Sequence, residues 1–169
     1  MGLSELKTEL KKMNKEELLE MVYDLYKHNK GVKDFLDYHL NTDSSSLFNK
    51  YKERIHEAFF PKRGYKVKLA QAKKAISEFK KIGTKAEYLA DLMFYYVETG
   101  IKYGISKGSV NDAFHNSLVS NFRIAFKFIE KENITDKYLT SAAELIDSSK
   151  KISKLLNNDF VSIFSIYND

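Results

Sequence analysis

The chain has 169 residues, 43% hydrophobic and 30% charged, with no cysteine and a formal net charge of +5. That length folds to a radius of gyration of about 15 Å and buries enough surface to need no disulfide or metal staple. The absence of cysteine excludes a disulfide framework, thiol catalysis, Cys-ligated zinc and iron–sulfur clusters, and the composition is too apolar for disorder.

Apolar spacing is three to four residues almost everywhere, and no segment alternates, so every element reads as helix. Leu3, Leu6, Leu10 and Met13 form a short first helix. Asn14 and Glu17 make a capping box for a second, with Leu18, Val22 and Leu25 facing inward. Gly31 is expected to break the chain before a short third helix lined by Val32, Phe35, Leu36 and His39, the histidine read as a hydrogen-bonded core residue. Asp43 and Ser44 start a fourth helix with Leu47, Phe48, Tyr51, Ile55 and Phe59 inside. Pro61 ends it, because the residue before a proline avoids helical geometry.

A fifth helix spans about Leu69 to Ile82 and closes on Gly83 as its C′ residue. Thr84 and Glu87 read as a second capping box, opening a sixth helix to about Tyr103 that is apolar over most of its circumference and therefore central. Gly104 to Gly108 reads as a turn, and Ser109 as the cap of a long seventh helix. Thr135 caps an eighth, running to about Leu156. Asn157-Asn158-Asp159 is expected to interrupt it before a last apolar turn or two containing Phe160, Ile163, Phe164 and Tyr167, which should dock on the central helices. The expected fold is all-α, a single compact domain over 1–169 with eight or nine short-to-medium helices and no repeat period.

The charge is concentrated. Residues 1–60 and 82–169 each carry a net −1, while residues 61–81 carry +7. In that segment Lys62, Arg63, Lys66, Lys68, Lys73, Lys74, Lys80 and Lys81 face Glu78 alone. On a helical wheel Lys73, Lys74, Lys80 and Lys81 share one flank of the fifth helix beside its apolar stripe. These residues are the candidate anion or partner surface, since a local excess of positive charge attracts anionic partners. The competing reading is a solvated lysine face, because the chain has 25 lysines against three arginines and arginine is the better reader of phosphate and guanine. Internal pairing is a further expectation: Glu87, Asp91 and Glu98 line one stripe of the sixth helix, within reach of lysines from the fifth.

Chemistry-bearing patterns are sparse. Glu53 with His56, and Asp112 with His115, match the acid-x-x-His spacing of di-iron bundles, but both acids point away from the apolar faces of their helices. No metal or cofactor is therefore expected. Catalytic triad spacings, phosphate-cradling glycine loops and His-Glu-x-x-His are all missing. Asp34 and Asp37 on the third helix would repel phosphates, which argues against a helix-turn-helix reader. The longest apolar run, Leu92 to Val97, is far too short to span a bilayer. The N-terminus shows no secretory pattern, and Leu6 stands where a myristoylation motif wants Ser or Thr. A cytoplasmic location is expected.

Phe59-Phe60-Pro61-Lys62-Arg63-Gly64, followed by Ala72-Lys73-Lys74-Ala75-Ile76 and Phe79, resembles the core signature of a bacterial family of short all-helical cytosolic proteins of unknown function. Ser4-Glu5-Leu6 and Asn14-Lys15-Glu16-Glu17-Leu18 are similar to that family's opening. The resemblance covers about the first half of the chain and implies the fold, with no activity attached. The resulting expectation is a non-enzymatic module that binds a protein partner or a second copy of itself. A nucleic-acid-associated protein using the basic segment is the alternative, and a small enzyme whose site is assembled only in space is the third.

Overall fold

A computed structural model describes residues 1–40, 44–64, 66–108 and 110–167. Asp43 and Ser109, expected as helix starts, lie outside them. All regular structure among the described residues is helical: α1 (Leu3–Leu10), α2 (Lys15–His28), α3 (Lys30–Leu40), α4 (Ser44–Phe59), α5 (Leu69–Lys81), α6 (Ala86–Lys107), α7 (Asp112–Lys131), a 3₁₀ turn (Thr135–Tyr138), α8 (Leu139–Ser149) and α9 (Lys154–Phe164). The contacts divide them into two units, Met1–Ser44 and Ser45–Asp169. No helix among the described residues is long and apolar enough to cross a membrane.

In the first unit, the Asn14 capping box forms in both directions: Glu17 N–H donates to Asn14 Oδ1 at 2.9 Å and Asn14 N–H to Glu17 Oε2 at 2.8 Å. The break before α3 falls at Asn29, not Gly31. Asn29 is extended at φ −123°, and its side-chain oxygen accepts from the amides of Gly31 and Val32, so Asn29 caps the helix and Gly31 lies inside it. The expected inner faces are not buried. Val22, Leu25 and Phe35 are 41%, 45% and 44% exposed, and His39 is exposed, with its ring 4.3 Å from that of Phe35. Three helices this short are too little chain to enclose an apolar interior of their own.

The second unit has a dense core around α6. Leu92, Tyr96 and Val97 are fully buried, and α6 packs against α5, α7 and α8. Rings fill the space between helices: Phe122 stacks on Phe160 at 4.2 Å, and Phe59 meets Tyr96 edge-on at 5.0 Å. The helix continues through Gly104 to Lys107 and ends on Gly108 at φ 72°, so Gly104 belongs to the helix and not to a turn. Both Gly100 and Gly104 are pressed by neighbours: a Cβ at Gly100 would overlap Leu118 Cδ2, and one at Gly104 would lie 2.6 Å from Ile152 Cδ1.

Several helix ends differ from expectation for identifiable reasons. Thr84 does not cap α6, whose N-cap is Lys85 without a side-chain bond, because the Glu87 carboxylate is drawn to Lys137 at 2.8 Å. For α7 the cap is Asn111, whose side chain accepts from Phe114 N–H at 2.9 Å. This helix closes with Asn133 in the left-handed region, φ 56°, and Ile134 N–H bonded back to Ile129 C=O. The break between α8 and α9 falls at residues 150–153, and Asn157 sits within α9, donating to Ile146 C=O of α8 at 2.8 Å. The last helix docks as expected, with Leu156, Phe160 and Ile163 buried and Tyr167 stacked on Phe126 at 5.0 Å.

Candidate anion-binding surface

The basic segment begins where α4 is forced to stop. Phe60 N–H still reaches His56 C=O at 2.8 Å, but Pro61 has no amide to continue the ladder. The chain turns through Gly64 at φ 83°, and Lys68 N–H returns to Ala58 C=O at 2.8 Å, tying the start of α5 to the end of α4. On α5, Ala72, Ala75, Ile76 and Phe79 are buried. Burying that stripe sets the helix rotation and leaves Lys73, Lys74, Lys80 and Lys81 exposed. Arg63, Lys66 and Lys68 are exposed in the preceding turn.

Two of the eight cations are locally engaged. Lys62 Nζ lies 2.7 Å from Glu57 Oε1. That hydrogen bond and charge hold the Glu57 carboxyl below its ordinary range and push the Lys62 ammonium up. Lys74 is 3.9 Å from Glu78, but Glu78 belongs chiefly to Arg54 of α4, whose Nη2 donates to Glu78 Oε2 at 2.6 Å while its guanidinium covers the Tyr51 ring at 4.7 Å. Arg63, Lys66, Lys68, Lys73, Lys80 and Lys81 make no ion pair among the described residues. The lone acid of the segment is thus consumed by a cation from outside it, and the positive charge stays open to solvent.

Among the described residues the acidic stripe of α6 makes no ion pair with the α5 flank, contrary to the expected internal pairing. Glu87 takes Lys137 at 2.8 Å, Glu98 takes Lys102 at 2.5 Å, and Asp91 accepts from Tyr138 O–H at 2.8 Å. The 3₁₀ turn reaches Glu87 and Asp91, and α6 itself supplies the partner of Glu98. His56 stacks on Phe60 at 5.1 Å, and His115 Nε2 lies 2.8 Å from Asp159 Oδ2. Among the described residues, no three His, Asp or Glu side chains gather as a metal site would require.

A second concave feature escaped the sequence. It lies between α4, α6, the 3₁₀ turn and α8, with a volume of about 450 Å³, and its walls come from residues 48 to 148. No linear spacing could show it, because four separate elements assemble it.

These features describe an all-helical protein in which Lys73, Lys80 and Lys81 of α5 make no ion pair among the described residues. The chain belongs to a family of unknown function (DUF6155), whose model matches residues 1–168. The match covers both halves of the chain and is consistent with the expected family of unknown function. No curated protein and no solved structure matches the chain significantly.

Proposed function

We propose that this protein is a binding module, not an enzyme, that acts as one functional domain in the bacterial cytosol. It engages an acidic macromolecule through the surface of residues 62–81. The observation that carries this reading is the diversion of Glu78 to Arg54, which leaves Lys73, Lys80 and Lys81 without an ion pair among the described residues. Lysines offer charge without planar, bidentate geometry, so recognition is by field and not by base sequence. Nucleic acid is the polyanion to test first. An acidic protein surface, or an acidic face of a second copy, is the second reading. It is favoured by the scarcity of arginine, since Arg63 is the one arginine among residues 61–81.

Titration of labelled duplex and single-stranded DNA and RNA at low salt tests the proposal, comparing wild type with Lys73→Gln, Lys74→Gln, Lys80→Gln and Lys81→Gln combined. Wild type should bind, with a log–log salt slope of about −4 to −5 on duplex for roughly five phosphate contacts. The quadruple variant should lose binding while keeping its helix, since Gln is nearly as good a helix former as Lys. No binding by wild type, or equal binding by both, overturns the nucleic-acid reading and leaves the protein partner.

A further inference from the structure

The 450 Å³ groove has the size of a small-molecule site, and three carboxylates line it. Two donors on its wall, Tyr138 and Lys102, are already engaged. Tyr138 O–H is shared between Asp91 Oδ1 at 2.8 Å and Glu87 C=O at 3.0 Å. Lys102 is bound to Glu98. Acceptors remain: Asp91 and Glu98 each keep a second carboxylate oxygen, and Glu144 makes no ion pair among the described residues.

The apolar wall is aromatic, and it already carries a cation. Lys52 Nζ lies 4.5 Å from the Tyr95 ring centroid and 5.6 Å from that of Phe48. Lys52 makes no ion pair among the described residues, although Asp91, Glu98 and Glu144 line the same groove. Its ammonium therefore rests on the electron-rich faces of the rings, the usual seat for an organic ammonium ion. Deeper in the wall, Tyr138 stacks on Phe94 at 5.0 Å, fixing a flat surface for an apolar body.

We propose that this groove binds a small organic ammonium ion, a primary amine on an alkyl or aryl body. The body lies along the rings, and the ammonium donates to Asp91, while Glu98 and Glu144 add negative charge to the groove. Lys52 is the internal stand-in for the ligand's charge and is displaced when the amine enters. Aromatic rings and carboxylates together select a cation with an apolar body over a neutral molecule of the same shape, because a neutral group leaves the acceptors unpaired. This site is independent of the basic surface: it uses different residues and the opposite charge.

Calorimetric titration with 2-phenylethylamine, 2-phenylethanol and 3-phenylpropionate, at a salt concentration that suppresses non-specific ion pairing, tests the proposal. The amine should bind saturably in the millimolar range or tighter, and the alcohol and the acid should not. Asp91→Asn and Glu144→Gln should each weaken the amine by about threefold to tenfold, the range expected for loss of one charge-assisted contact or one nearby negative charge. Lys52→Met should tighten it by a similar factor, because the seat on Tyr95 and Phe48 is vacated. A merely structural role for Lys52 would not produce that gain. Equal binding of amine and alcohol, no saturable amine binding, or unchanged or weaker binding by the Lys52 variant overturns the proposal.

Discussion

Gly100→Ala tests whether the core around α6 is packed as tightly as the structure requires. In an exposed helix interior, replacing Gly by Ala stabilises by about 1 kcal/mol through backbone entropy. At Gly100 the added Cβ would overlap Leu118 Cδ2 and stand 3.3 Å from Phe59 Cε1. Both neighbours are fully buried, so neither has solvent to retreat into. Overpacking a closed core costs about 1–3 kcal/mol, which exceeds the propensity gain and leaves a net loss of about 1 kcal/mol. Urea denaturation followed by far-ultraviolet circular dichroism measures it, and the thermal midpoint should fall by about 2–4 °C. Leu118→Ala removes the overlapping methyl groups, so in that background the same substitution should recover its gain of about 1 kcal/mol. The two backgrounds should then differ by about 2 kcal/mol in the effect of one methyl group. Stabilisation in the wild-type background, or the same effect in both, would show that α7 does not approach α6 closely at this glycine.

Burial pushes the Tyr96 phenol up to about 12 against the modest opposing effect of its 2.7 Å bond to Ser117. A raised phenol contributes stability that is complete below its unfolded value near 10 and is lost as pH climbs toward 12. Wild type should therefore lose about 2 kcal/mol by pH 11.5 beyond the loss shown by Tyr96→Phe, read from urea midpoints at pH 8 and 11.5. Equal losses in the two proteins would refute this. Glu78→Gln should move two readouts in opposite directions. Stability should drop by about 1–2 kcal/mol as the half-buried Arg54 loses its partner, while polyanion binding strengthens because the flank loses its lone acid. Weaker binding at full stability would show that Glu78 does not restrain the surface.

Helical periodicity alone was enough to read the architecture, because the apolar stripes of α4 to α9 are wide and uninterrupted. What it misplaced were the ends. Gly31 and Gly104 look like breakers, yet one lies within a helix capped by Asn29 and the other is small because Ile152 presses on it. Asn157 also looks like a breaker. Its amide instead closes the exposed carbonyl of Ile146 on α8, a contact eleven residues back that no local rule contains. The Thr84–Glu87 box fails for the same kind of reason, since Lys137, fifty residues away, takes the glutamate. The candidate basic surface was legible as a run of charge, but its lack of compensation was not. That depended on Arg54, twenty-four residues from Glu78 in the chain, reaching across to it. The aromatic groove was illegible, because its charges and rings are separated by up to a hundred residues.

Several acids of the second unit already hold partners outside the basic segment. Glu87 holds Lys137, Glu98 holds Lys102 and Asp147 holds Lys150, while Glu57 alone takes a cation of the segment, Lys62. Glu57 apart, no acid of the stretches on either side of residues 61–81 ion-pairs with the segment among the described residues, so most of the excess between them remains. Folding therefore keeps the positive charge in one place, where its field extends about one Debye length, roughly 8 Å at physiological salt. The groove on α4, α6 and α8 has the reverse polarity, with carboxylate acceptors left over and the Lys52 ammonium, which makes no ion pair among the described residues, resting on rings. A polyanion satisfies the first surface and is repelled by the second, and an amine does the opposite. The two proposals consequently predict separate behaviour: salt and lysine substitutions act on polyanion binding, whereas Lys52 and the groove carboxylates act on amine binding. Inhibition of both by the same substitutions would mean that a single electrostatic surface, and not two built ones, governs what this protein binds.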